Sequence, residues 1–266
     1  MVRDEAYPKL ARQPLTLVLA EFRFGRVAFE PAALAALKER MAPRFADMRE
    51  GVAQQVQLGD AGVTITQAPY VVWRAPEAGA AVHLEVDRIA YATTMYPRFD
   101  GFAKDCLEVV RALLETLRPP SLHRVGLRYN DAVVPMPDEL LADYVEAPLL
   151  AFAPLADEAG AVVRHLSETV VQTTAGALVV RALAGVHGLG MMPDLQGQFG
   201  LPLQIDVPTD RPVAVLDFDH YWEVAEAEGV AFDVDAAGDR LARLHEPARE
   251  AFWKVTTEFA RTQRWN

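Results

Sequence analysis

Two arginines and an asparagine alternate with other residues along His123–Asp131 (HRVGLRYND), so a strand here carries Arg124, Arg128 and Asn130 on one face together with Gly126. A second run, Leu15–Phe24 (LTLVLAEFRF), places Glu21 and Arg23 on one face in the same way. Guanidinium groups hold carboxylates and phosphates through paired hydrogen bonds. Side by side in one sheet, Glu21, Arg23, Arg124, Arg128 and Asn130 would floor a polar cleft able to grip an anionic ligand or partner. The same residues also suit a lattice of cross-strand ion pairs on a solvated sheet face.

Acidic residues form a second set. Asp217 and Asp219 share a face within VLDFD, followed by His220, and His83, Glu85 and Asp87 alternate in an earlier segment. Carboxylates on one strand face could hold Mg²⁺ or act as an acid and base, and exposed strand charges are the plainer alternative. HExxH and CxxC spacings are missing, as are the phosphate-loop signature, a GxGxxG between strand and helix, and a GxSxG elbow. The sequence therefore calls for no cofactor. Cys106 falls on the apolar stripe of a helix and reads as core filler, as His245 does in the last helix. His187 lies in a glycine-rich stretch, Gly185–Gly200, that would make either a lid or an exposed loop.

The elements that must position these residues follow from periodicity. Beyond the strand Leu15–Phe24, Glu30-Pro31 opens a helix with Leu34, Leu37 and Met41 on one side. Strands are predicted over Val52–Leu58 and Val63–Trp73, joined at Gly59–Gly62, with Pro69 marking an edge or a bulge. Ala81–Met95 reads as one long strand, and Asp100–Leu117 as a helix with Phe102, Cys106, Val109, Val110, Leu113 and Leu117 in one stripe. In the second half the pattern predicts a short helix at Asp138–Val145, a hairpin of Val162–Thr174 with Ala177–Ala184, and strands at Leu201–Val207 and Val213–Val224. A final helix spans Asp235–Arg261, capped by Asp233 or Asp235, with a kink or break expected at Pro247.

Both halves run through hairpins into a strand and then a long helix, and Leu84-Glu85-Val86-Asp87 parallels Leu216-Asp217-Phe218-Asp219. The expected class is therefore α+β: two similar units of antiparallel sheet, residues 1–135 and 136–266, each backed by a long amphipathic helix and sharing a continuous sheet or close interface.

An apolar content of 51% supports a large core, and a net charge of −11 argues against nucleic acid as the main partner. One cysteine excludes an internal disulfide, and no apolar run reaches the roughly 20 residues of a membrane span. The charged, proline-containing start lacks a secretory signal pattern, so a cytoplasmic location is expected. Trp265 near the C-terminus suits a packing anchor, either within the chain or at a homo-oligomer interface.

Four stretches in order, PLTLVLAEFRF (14–24), RVGLRYN (124–130), VLDFD (215–219) and LHEPAREAFWKVTT (244–257), together resemble a sporadically distributed family of uncharacterised bacterial proteins. The resemblance implies mobile or defence-associated gene neighbourhoods and supplies no catalytic residues. With no catalytic signature in the chain, the expected function is a non-catalytic recognition or accessory protein binding a partner protein, peptide or small anionic ligand on a polar sheet face. The alternative is a metal-assisted hydrolase or transferase acting on a phosphorylated small molecule.

Overall fold

The computed structural model describes residues 7–59, 62–150, 163–225 and 228–266. Nine strands form one antiparallel sheet: β1 (Leu15–Phe24), β2 (Asp47–Gly59), β3 (Gly62–Ala75), β4 (Ala80–Glu85), β5 (Arg88–Thr93), β6 (Leu122–Val133), β7 (His165–Gln172), β8 (Ala177–Val186) and β9 (Val213–Glu223). Their spatial order is β2-β3-β4-β5-β1-β6-β9-β8-β7. Among the described residues, the helices α1 (Pro31–Met41), α2 (Phe99–Thr116) and α3 (Val234–Val255) lie on one side of it, with α2 between α1 and α3.

The class is α+β, but the chain does not build two separate sheets. β1 pairs with β6 along most of its length, from Leu15↔Asp131 to Phe24↔Leu122, and β6 pairs with β9, which fuses the halves. Connectivity is nonetheless shared. If the chain is divided before β6 and not at residue 135, each segment opens with a central strand (β1, β6) that pairs with its last strand (β5, β9), and each is followed by a long helix.

The alternation of β1 decides the layering. Val18, Ala20, Phe22 and Phe24 face the helices and are buried with Val125, Leu127, Phe102, Leu113, Leu241 and Leu244 in one core. The stripes through Leu113 and Leu244 thus converge on the same side of the sheet. Leu17 and Leu19 point the other way, into a smaller apolar layer with Ala81, Ala92, Leu183 and Val215. Met192, Leu195 and Phe199 from the β8–β9 connection cover this layer. Gly185–Gly200 is therefore not simply an exposed loop; its apolar residues complete a core.

Several boundaries move. Ala81–Met95 is a hairpin, not one strand, because the chain turns at Val86-Asp87 without a glycine or proline to announce it. Leu84–Asp87 therefore runs off the end of β4, whereas Leu216–Asp219 lies inside β9, so the two tetrapeptides are not equivalent. Leu201–Val207, with Pro202 inside it and Pro208 just after it, makes no ladder. The expected helix at Asp138–Val145 shrinks to a single turn, Leu141–Asp143. Pro69 sits where β3 pairs with β2 alone, one residue before the β4 ladder starts at Tyr70. The expected hairpin turn includes residues 60 and 61, and the expected start of the β7 strand includes residue 162; these lie outside the described residues, as does most of Pro148–Gly160.

α3 is capped by Asp233, whose side chain accepts from the Ala236 amide at 2.8 Å, and it runs unbroken past Pro247 to Val255. Trp265 packs inside the chain against Tyr144 and Phe252, and its carbonyl accepts from the Arg12 amide. Cys106 is fully buried, and burial holds its thiol well above the ordinary range.

Leu113 has no exposed surface at the centre of the main core. Leu113→Ala should cost about 2–5 kcal/mol through lost burial and an unfilled cavity, read as a lowered midpoint in chemical denaturation.

Candidate functional site

On the side away from the helices, register stacks the polar residues in rungs. Arg88, Arg23, Arg124 and Glu223 stand side by side across β5, β1, β6 and β9. The next rung holds His83, Ala90, Glu21, Gly126 and Tyr221, and the one after it holds Leu19, Arg128 and Asp219. Asn130, Asp217 and Arg181 form the last. Four of the five residues expected to bind, Glu21, Arg23, Arg124 and Arg128, therefore line one cavity of about 470 Å³ with His83, Arg88 and Asp219. Asp194, Leu195 and Gln198 of the β8–β9 connection close its side.

Asn130 does not line it. It is fully buried, donates to Asp217 Oδ1 at 2.9 Å and accepts from the Met192 amide at 2.9 Å, which ties the β8–β9 connection to the sheet. Asp217 is fully buried too. It accepts from Arg128 Nε at 2.6 Å and Nη2 at 3.0 Å, from Arg181 Nη1 at 2.9 Å and from Asn130. Its oxygens are thus occupied by two guanidiniums and an amide, the setting of a counter-ion and not of an open metal ligand. Among the described residues no group of three or more histidine, cysteine or acidic side chains could hold a metal ion.

Arg128 is the hub. Besides Asp217 it clasps Asp194 through two hydrogen bonds, 2.6 and 3.1 Å, and its side chain is only 12% exposed. Expected on an open face, it is instead a structural ion. Burial opposes its charge, but the two carboxylates outweigh burial and strengthen its hold on the proton. Burial would likewise raise Asp194, yet the Arg128 contacts keep its carboxyl below the usual value.

The other end of the cavity is less satisfied. Arg124 stacks over the Tyr221 ring at 4.1 Å. Its acidic neighbours stand off, with Glu21 and Asp219 at 3.8 Å and Glu223 at 4.0 Å, and its Nε is buried without a hydrogen bond. Neither ring nitrogen of His83 has a hydrogen-bond partner either, and burial lowers its pKa, so the ring is neutral at pH 7. Buried donors left without partners are rare in folded proteins and cost stability. Glu21 is better matched. Burial raises its carboxyl, but Arg23, Arg88 and Arg124 together bring it below the ordinary value. Asp219 shows the opposite balance, raised by burial despite Arg128 and Arg124.

Gly126 makes the room. A Cβ built there would meet nothing nearer than the Tyr221 Cβ at 3.9 Å, so the floor between Glu21 and Tyr221 is open. A glycine inside a central strand weakens it and often marks a close approach by another group.

Three contributors escaped sequence reasoning. Arg88 was hidden by the unrecognised turn at Val86-Asp87. Asp194 and Gln198 arrive from the long connection, where nothing local reports a destination. Of the remaining histidines, His220 is buried between Thr173 and the Leu244 carbonyl, His187 is exposed beside Thr209, and His245 bonds Tyr129.

The two arginines should therefore separate in mutagenesis. Arg128→Ala strands a buried carboxylate and should destabilise by about 3–5 kcal/mol, whereas Arg124→Gln should change stability by about 1 kcal/mol or less, since it breaks no short hydrogen bond. Urea unfolding of both variants reads this directly. Neither known protein-family models nor curated proteins match this chain, so the reading of the site rests on its geometry.

Proposed function

We propose that the cleft is a recognition site for a single anionic group, a carboxylate or phosphate carried by a small ligand, peptide or partner protein. The observation that carries this reading is Arg124. Its guanidinium is positioned by Tyr221, has no short ion pair, and borders the open floor at Gly126 beside His83, whose ring makes no hydrogen bond and stands 3.5 Å from Glu85. An anion there would accept from Arg124 and His83, satisfying both. The lining carries four guanidiniums, Arg23, Arg88, Arg124 and Arg128, against three carboxylates, Glu21, Asp194 and Asp219. Glu85 and Asp217 hold Arg88 and Arg128 from just outside that lining, so the charges nearly cancel, which suits one modest negative charge at Arg124 and does not favour a polyanion.

Binding without catalysis fits the same set. The side chains that could act as nucleophile or base are either consumed in ion pairs, as Asp217 is, or are single carboxylates without an oriented partner. A second reading, a metal-assisted hydrolase or transferase for a phosphorylated small molecule, draws support from the shared face of Arg124, Arg128, Asp217 and Asp219. It is weakened by the saturation of Asp217. The matching order of elements in the two halves is in keeping with internal duplication, which would place the cleft at the joint of the copies, where β1 meets β6.

Gly126→Leu fills the cavity floor with little strain, and Arg124→Gln removes the charge. Mass spectrometry of what co-purifies with the chain from its native host should find an anionic compound or partner that both variants lose while their melting temperatures stay within a few degrees of the parent. Retention by both variants, or recovery of the chain alone under several growth conditions, would count against the cleft as a recognition site.

A further inference from the structure

The other face of β6 leads to a different cavity. Leu15, Tyr129, Asp131 and Phe218 form its floor on the helix side of the sheet, and Phe99, Phe252 and Trp253 supply aromatic walls around a volume of about 400 Å³. Its polar groups are held in place. The Tyr129 hydroxyl lies 2.8 Å from His245 Nδ1 and 3.4 Å from the Tyr96 hydroxyl, and Phe99 stacks on the His245 ring at 4.2 Å. Asp131 differs: it is 3% exposed, and among the described residues nothing donates a hydrogen bond to its carboxyl. A buried carboxyl without donors or counter-charge is costly, and here it faces a cavity and not packed hydrocarbon.

We infer that this cavity is a second binding site, distinct from the cleft, which takes an organic amine with a flat apolar body and seats its ammonium on the Asp131 carboxylate. The ammonium brings what Asp131 lacks, hydrogen-bond donors and a positive charge, and the aromatic walls accept both the apolar body and the cation. A ligand ending in a carboxylate would set a second negative group against Asp131, and a neutral alcohol would leave the charge unmet.

Burial, with the Asp217 charge on the neighbouring strand, pushes Asp131 up to about 8, so the empty site holds a neutral acid at pH 7. Other ionisable groups face it from each packed element. Tyr129 shares its strand, and Tyr96, Arg98 and Asp100 stand at the entry to α2. His245, Glu246 and Arg249 come from α3 and Lys9 from the N-terminal segment. Arg249 is already paired with Glu246 at 2.6 Å and lies over the Tyr7 ring. When an ammonium binds, the Asp131 proton leaves to solvent and the carboxylate stays, so one proton is released for each amine bound. Without ligand, Asp131 holds its proton more tightly folded than unfolded. Its contribution to stability is therefore full below about 4 and is lost as pH rises to about 8.

Calorimetric titration of the full chain with tryptamine, tryptophol and indole-3-propionate, in two buffers of different ionisation enthalpy, tests the assignment. Tryptamine alone should bind at pH 7, with release of close to one proton. Its affinity should rise about tenfold per pH unit up to pH 8 and then level. Asp131→Asn should lose at least about tenfold in tryptamine affinity while gaining stability at pH 7, which separates lost binding from lost fold. Equal binding of tryptophol or indole-3-propionate, a pH-independent tryptamine affinity, full affinity in Asp131→Asn, or no binding of any probe at millimolar concentration would each overturn it. The anion cleft lies on the opposite face and is unaffected by any of these outcomes.

Discussion

One buried carboxylate organises the polar half of this fold. Asp217 has no exposed surface, and several kcal/mol of lost hydration must be offset by what surrounds it. Two strands and an amide do so: Arg128 and Asn130 from β6 and Arg181 from β8 converge on it from both sides of β9. The same groups reach outward. Asn130 receives the Met192 amide and Arg128 clasps Asp194, so the β8–β9 connection is fixed to the sheet through the partners of one side chain. Its apolar residues Met192, Leu195 and Phe199 can then cover Leu17, Leu19 and Val215.

That arrangement also fixes register. A slip of one residue in β9 would turn Asp217 into the helix-side core and bring Leu216 and Phe218 to the ion pairs, inverting every side chain at once. Apolar packing on the helix side and charge pairing on the other side therefore enforce the same alignment. A buried ion cluster is weak evidence for net stability, but it discriminates strongly between one strand alignment and the next.

Much of this was legible in the chain because alternation is a local property. The faces of Leu15–Phe24 and His123–Asp131 follow from period two alone, which sets Glu21 beside Arg23 and Arg124 beside Arg128; the β1–β6 ladder then joins the two faces. Burial is not local. Arg124 and Arg128 look alike in HRVGLRYND, yet one hangs beside an open floor and the other is saturated by Asp217 and Asp194. The difference arises from β9 and from a connection more than sixty residues away. The hairpin at Val86-Asp87 carries neither glycine nor proline, which hid Arg88. Nothing local in the strand marks Asp131 as buried; its burial comes from tertiary packing, and the cavity it faces is bordered by α2, α3 and the N-terminal segment.

The strand β6 shows how two sites of different chemistry can share one backbone. Its even-numbered residues Arg124, Gly126, Arg128 and Asn130 face the cleft, and its odd-numbered residues Val125, Leu127, Tyr129 and Asp131 face the helices. In the middle of the strand the helix side must be apolar, because Val125 and Leu127 sit under α2 and α3 with no room for water. Polar groups on that side are admitted only toward the strand's end, where the helices leave a cavity. On the cleft side the order is reversed: charge is tolerated along the whole strand because carboxylates of neighbouring strands stand near each guanidinium, in short contact at Arg128 and at 3.8–4.0 Å at Arg124, and the glycine at the centre gives up packing to leave space. Opposite demands on adjacent residues are met without conflict because a pleated strand sends neighbours to opposite faces. They still feel one another electrostatically, since the Asp217 charge that stabilises the cleft framework contributes to keeping Asp131 protonated on the far side.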